Sequence, residues 1–169
     1  MPDRQPVPEP VDVVKNLRTR VLSLSPTDLG ISPSQQLPNV WGILMEMGYP
    51  ETLAGLVVLA DGTTSLYLGY GGGFMGGGEY ESVRTASARF LSVADRYHTE
   101  LQTTHTFPYP DVGRVRFYVL TFSGILFADA DEKELAQKAH WLAELFHAGH
   151  GVLTELRLIE QEGMEGDDT

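Results

Sequence analysis

Gly71-Gly72-Gly73-Phe74-Met75-Gly76-Gly77-Gly78 is the segment whose composition most invites chemistry. It falls between a predicted strand and a predicted helix start, where glycine-rich loops turn backbone N–H groups toward phosphates. Arg114 and Arg116, two residues apart on a predicted strand and close to Tyr118, have the charge and fork geometry to grip a phosphate or carboxylate. Gly71, Gly72, Gly73, Gly76, Gly77, Gly78, Arg114 and Arg116 therefore form the candidate ligand-binding set. Against a phosphate cradle, Gly-Lys-Ser/Thr is missing, and Glu79 and Glu81 stand in the first helical turn, where they complement the helix dipole and repel an anion. The alternative is a close-packed or mobile connection into which Phe74 and Met75 dock, with the arginines paired to neighbouring carboxylates.

His147 and His150 stand at i and i+3, with Glu144 and Glu155 near enough along a helix to complete a carboxylate–histidine metal site. Zinc enzymes place histidines at i and i+4 around a general-base glutamate, whereas Ala148 and Gly149 intervene here, so surface or capping histidines are the preferred reading. The run from Asp129 to Glu132 opens like a calcium loop, but the sixth position is Glu134 where glycine is required and the twelfth is His140. Asp131 reads instead as the N-cap of a helix with Glu132 and Glu134 in its first turn. Gly-x-Ser-x-Gly is absent, and no catalytic residue, metal or cofactor is assigned.

The elements that must position these residues belong to a chain of 169 residues, enough for one domain with one core. Its 42% hydrophobic and 21% charged residues are those of a globular protein, so a packed core is expected. The absence of cysteine excludes disulfides, zinc-thiolate sites, iron–sulfur clusters and thiol nucleophiles. A net charge of −11 repels phosphate backbones and anionic headgroups, which argues against nucleic acid and membrane as partners. No apolar run is long enough to span a bilayer and the first residues lack a signal-peptide core, so a cytoplasmic location is expected.

Residues 1–10, with four prolines, are expected to be a disordered leader, and residues 161–169 an acidic disordered tail, leaving 11–160 as a single domain. Val11, Val14, Leu17, Val21 and Leu24 mark an amphipathic helix, ended by Ser25-Pro26 and followed by a linker to Pro38. Residues 39–48 fit a strand or a helix, and Gly42, the short length and the hairpin that follows favour strand. Asp61-Gly62 predicts a two-residue type I′ turn, which pairs Leu59 with Thr64 and Val57 with Leu66 on the better core face, and Leu56 with Tyr67 on the other. Val83, Ala86, Phe90, Ala94, Tyr97 and Leu101 predict a long helix with a small-residue middle. A second hairpin, 114–122 with 125–129, is joined at Ser123-Gly124. The last amphipathic helix is expected to break or kink at Gly149 and Gly151.

This order predicts an α+β fold, an antiparallel sheet of about five strands with helices packed on it. Together with Leu-Val-Val-Leu-Ala-Asp-Gly at 56–62, the long helix and the second hairpin, it resembles the dynein light-chain roadblock family among the profilin-like folds. The similarity covers roughly residues 53–161; the strand near Trp41, the glycine stretch and the long terminal helix depart from that pattern. The resemblance implies a non-catalytic interaction module that homodimerises and recruits a cytoplasmic protein such as a small GTPase. Two other readings stay open: a small-molecule (phosphorylated ligand) binding or hydrolytic protein using residues 71–78, and an acidic inhibitor or immunity-type protein suggested by the charge.

Overall fold

The computed structural model describes residues 5–166, with side chains as far as 163. One antiparallel sheet organises the chain. Its strands are β1 (Val40–Gly48), β2 (Leu53–Leu59), β3 (Thr64–Leu68), β4 (Gly73–Phe74), β5 (Gln102–Thr103), β6 (Arg114–Thr121) and β7 (Gly124–Asp131). They lie in the order β4-β3-β2-β1-β6-β7-β5. The helices are α1 (Asp12–Ser23), α2 (Glu81–Tyr97), α3 (Glu132–Ala136) and α4 (Ala143–Gly166). The α+β class is as expected, but the described strands number seven rather than about five, because two-residue strands, β4 and β5, cap the two edges.

The ambiguous run near Trp41 is the central strand, flanked by β2 and β6. Burial on both faces explains its nearly continuous apolar sequence, since each alternate residue meets a different layer. Ile43, Met45 and Met47 face α2 and α4, packing with Leu56, Val58, Phe117, Phe90 and Leu145. Leu44 faces the other way, with Val57, Tyr118 and Leu120 beneath Val14 and Val21 of α1.

The first hairpin differs from expectation by one residue. Leu56 pairs with Leu66 and Val58 with Thr64, and the Leu59 N–H donates to the Thr63 carbonyl at 2.9 Å. Three residues, Ala60, Asp61 and Gly62, thus form the loop, with Gly62 at a φ of 98°. The Asp61 carboxylate accepts from the Thr63 N–H at 2.9 Å and favours this wider loop over a type I′ turn. A one-residue shift exchanges faces, so Tyr67 comes to lie opposite Gly55. The second hairpin turns at Phe122-Ser123, since Thr121 pairs with Gly124.

The terminal helix is also unlike its expectation: α4 runs through Gly149 and Gly151 without a break. A Cβ on Gly149 would stand 2.7 Å from the Met45 sulfur and 3.1 Å from Phe90, so this glycine admits close approach of α4 to the sheet and α2. The helix continues to Gly166, into the segment expected to be a tail, and residues 167–169 lie outside the described residues. Of the expected leader, 1–4 are likewise outside them. From Gln5 onward the chain makes defined contacts: the Gln5 carbonyl accepts from the Val112 N–H at 2.8 Å, and Pro6 bridges Asp111. Proline costs the backbone a donor but leaves its carbonyls free to accept, which is how this segment docks. No helix among the described residues is long and apolar enough to cross a membrane.

Candidate functional site

The glycine segment is an edge strand and a close-packed connection. Gly73 pairs with Tyr67 and Phe74 with Leu66, extending the sheet by one short strand. A Cβ on Gly73 would stand 2.1 Å from the Leu66 carbonyl oxygen, and one on Gly78 would stand 2.0 Å from that of Gly62. Both positions are therefore closed to any side chain by neighbouring backbone. The segment leads through a short 3-10 turn (Gly77–Glu79) to α2, whose N-cap position is Tyr80. Gly71, Gly72 and Gly73 also form one wall of a groove of about 340 Å³ with Val13, Val14, Leu17, Tyr67 and Met75. The side chains of that lining are apolar apart from Tyr67, so no cationic group faces a phosphate there.

Arg114 and Arg116 are not brought to the glycines. They stand on β6, four strand spacings from β4, or roughly 19 Å at about 4.8 Å per strand. Both donate to Asp129 of β7: Arg114 Nε at 2.8 Å and Arg116 Nε at 3.2 Å. The Arg116 guanidinium also lies 5.3 Å from the Phe127 ring centroid. Asp131 caps α3, accepting from the N–H groups of Lys133 at 2.9 Å and Glu134 at 3.2 Å. His150 packs its ring 4.3 Å from that of Phe146, and burial, assisted by His147, holds its pKa below the ordinary value. His147 is exposed one turn earlier.

Sequence reading missed a buried polar assembly among the described residues. Across the sheet, Tyr67, Gly55, Glu46, Arg116 and Asp129 are successive cross-strand partners. Glu46 is 0% exposed and accepts from Arg18 of α1 through both carboxylate oxygens, at 2.8 and 2.9 Å. The Tyr67 hydroxyl donates to the same carboxylate at 2.6 Å. It reaches there because its ring occupies the space where a Gly55 side chain would be, with Cζ 2.1 Å from the position of a Cβ. Arg18 further donates to the Pro108 carbonyl at 3.3 Å, and its guanidinium lies 4.4 Å from the Tyr109 ring centroid. The Tyr118 hydroxyl donates to that carbonyl at 2.6 Å.

Burial disfavours the charge on Arg18, but the hydrogen bonds and charge of Glu46 more than offset this and hold its pKa above the ordinary value. Burial, reinforced by Glu46, pushes the Tyr67 phenol well up, so it remains a donor. With both carboxylate oxygens engaged, this assembly clamps α1 and the loop carrying Pro108 to the sheet. Its sequence signals were slight: Glu46 is the sole charge between residues 39 and 48, and Arg18 lies in the apolar stripe, four residues after Val14.

No known protein family, curated protein or solved structure matches this chain.

Proposed function

We propose that the protein is a non-catalytic interaction module that self-associates through the β4 edge. The observation that carries this reading is an edge segment with no charged side chain of its own, partly apolar, on a strongly acidic chain. Residues 62–78 contain no charged side chain, although the protein carries −11 overall. Around that edge Val13 and Tyr70 are each 66% exposed and Met75 is 64% exposed, beside the apolar groove against α1. Two copies with the same net charge repel one another over most of their surfaces, and an uncharged strand edge is where they can meet without opposing charges. A short terminal strand also presents unpaired backbone groups, which a second copy satisfies by two-fold, isologous pairing.

The test is sedimentation equilibrium over a range of concentrations on the native chain and on Tyr70→Glu/Met75→Glu. Both side chains are largely exposed, so the variant is expected to fold like the parent, with an unchanged circular dichroism spectrum. A dimer in the parent and a monomer in the variant are expected. A parent that stays monomeric, or a variant that dimerises equally well, overturns the reading.

A further inference from the structure

The groove beside the glycine segment has no cationic side chain, whereas a different pocket has two. Arg89 of α2, Lys138 after α3, and Ala143, Glu144 and His147 of α4 line a depression of about 400 Å³. Five other Lys or Arg side chains (Lys15, Arg18, Arg96, Arg114 and Arg116) are joined to carboxylates. Arg89 and Lys138 form no such salt bridge among the described residues. The one carboxylate in the lining, Glu144, accepts from Arg96 and from the Tyr97 hydroxyl, and these bonds, with Arg96 foremost and the charge of Arg89 a smaller cause, hold its pKa below the ordinary value. Arg96 from outside the pocket and Arg89 within it offset that charge, so the lining holds two cations, one carboxylate and an imidazole.

Lys138 is held there at a conformational cost. Its φ is 59°, the one positive value at a non-glycine among the described residues. The Lys138 N–H donates to the Leu135 carbonyl at 3.1 Å and the Ala139 N–H to the Glu134 carbonyl at 2.8 Å. Those bonds make a Schellman C-cap of α3 with Lys138 at the position glycine usually takes. Lysine is less suited than glycine to that backbone, whereas its ammonium supplies the pocket with a charge that glycine lacks.

We propose that Arg89, Lys138 and His147 bind a small phosphorylated ligand. Arg89 supplies the planar fork, Lys138 a compact charge, and His147 a ring nitrogen within the same wall. A soluble phosphate ester is the ligand rather than a lipid headgroup, because an anionic bilayer repels a chain of −11.

Inorganic phosphate and phenyl phosphate, titrated at ionic strength held constant with sodium chloride and followed by amide NMR, test the site. Saturable shifts are expected at residues 89, 138–139 and 143–147. In Lys138→Gly the affinity should fall about tenfold, a difference of about 1.4 kcal/mol, while the melting temperature holds or rises. Arg89→Gln, a change at an exposed position, should weaken binding similarly. Shifts that do not saturate, or equal affinity in both variants, overturn the proposal. So does cosedimentation with phosphatidate vesicles when neither soluble phosphate binds.

Discussion

On the helix side of β1, Ile43, Met45 and Met47 sit in an apolar core, whereas Glu46, between two of them in sequence, faces α1 and is gripped by Arg18 and Tyr67. Both charged side chains that are buried among the described residues, Arg18 and Glu46, belong to that second face. The difference lies in directionality. An apolar layer is stabilised by area and close packing and accepts changes of similar volume. A buried ion pair instead depends on geometry and on partners for every lone pair, so it admits one placement of α1 on the sheet. Gly149 and Gly55 express the same contrast, the first making room for a helix against Met45 and the second for one phenol ring reaching one carboxylate.

The largest effect is expected from breaking the charged face. Glu46→Leu leaves Arg18 buried without its counter-ion and should cost about 3–5 kcal/mol, read from urea denaturation. The double variant Arg18→Met/Glu46→Leu should recover a substantial part of that loss, because an apolar pair replaces a pair whose desolvation is costly. If the double variant is as unstable as the sum of the two singles, the contrast between faces is wrong.

Next in size, Gly55→Ala should cost about 1–3 kcal/mol, since its Cβ displaces the Tyr67 ring from Glu46. In a Tyr67→Ala background the same change should be nearly neutral, and a double-mutant cycle measures the coupling. Additive losses would show that the phenol does not depend on the missing side chain.

The smallest effect concerns the helix face, where His150 has a buried Nε2 without a hydrogen-bond partner and a depressed pKa caused first by burial, then by His147. Apolar Leu66, Phe74 and Leu153 share its groove with Thr154, Arg157 and Glu160. The folded state resists the proton that the unfolded chain accepts near the ordinary value of 6.5. Its contribution is therefore complete above that pH and declines as the pH falls below it. The native chain should lose more melting temperature between pH 7 and pH 5 than His150→Leu does. Parallel pH curves would remove the histidine from the account.

Element types were largely legible because they depend on local pattern: the first helix, the second hairpin's strands and the Asp131 cap all appear as read, although Arg18 joins the buried stripe of α1 and Val11 stays exposed. Positions that depend on partners were not. Asp61-Gly62 located a turn, yet the Asp61 side chain and the register on β3 chose a three-residue loop, and that single step sent Tyr67 to the opposite face. Gly149 lowers helix propensity in isolation, but contact with Met45 and Phe90 makes it the residue that fits. Arg114 and Arg116 were read with two open roles, and pairing with Asp129 became visible only once β6 and β7 were in register.

Composition and periodicity by themselves determined the α+β class, the absence of thiol chemistry and the acidic surface, since these depend on residue type and short spacing. Tertiary structure decided which residues meet: Arg18 with Glu46 across 28 positions, and Arg89 with Lys138 and His147 around one pocket. Ionic and hydrogen-bonded contacts act over a few ångströms in space, a distance that separation along the chain does not encode.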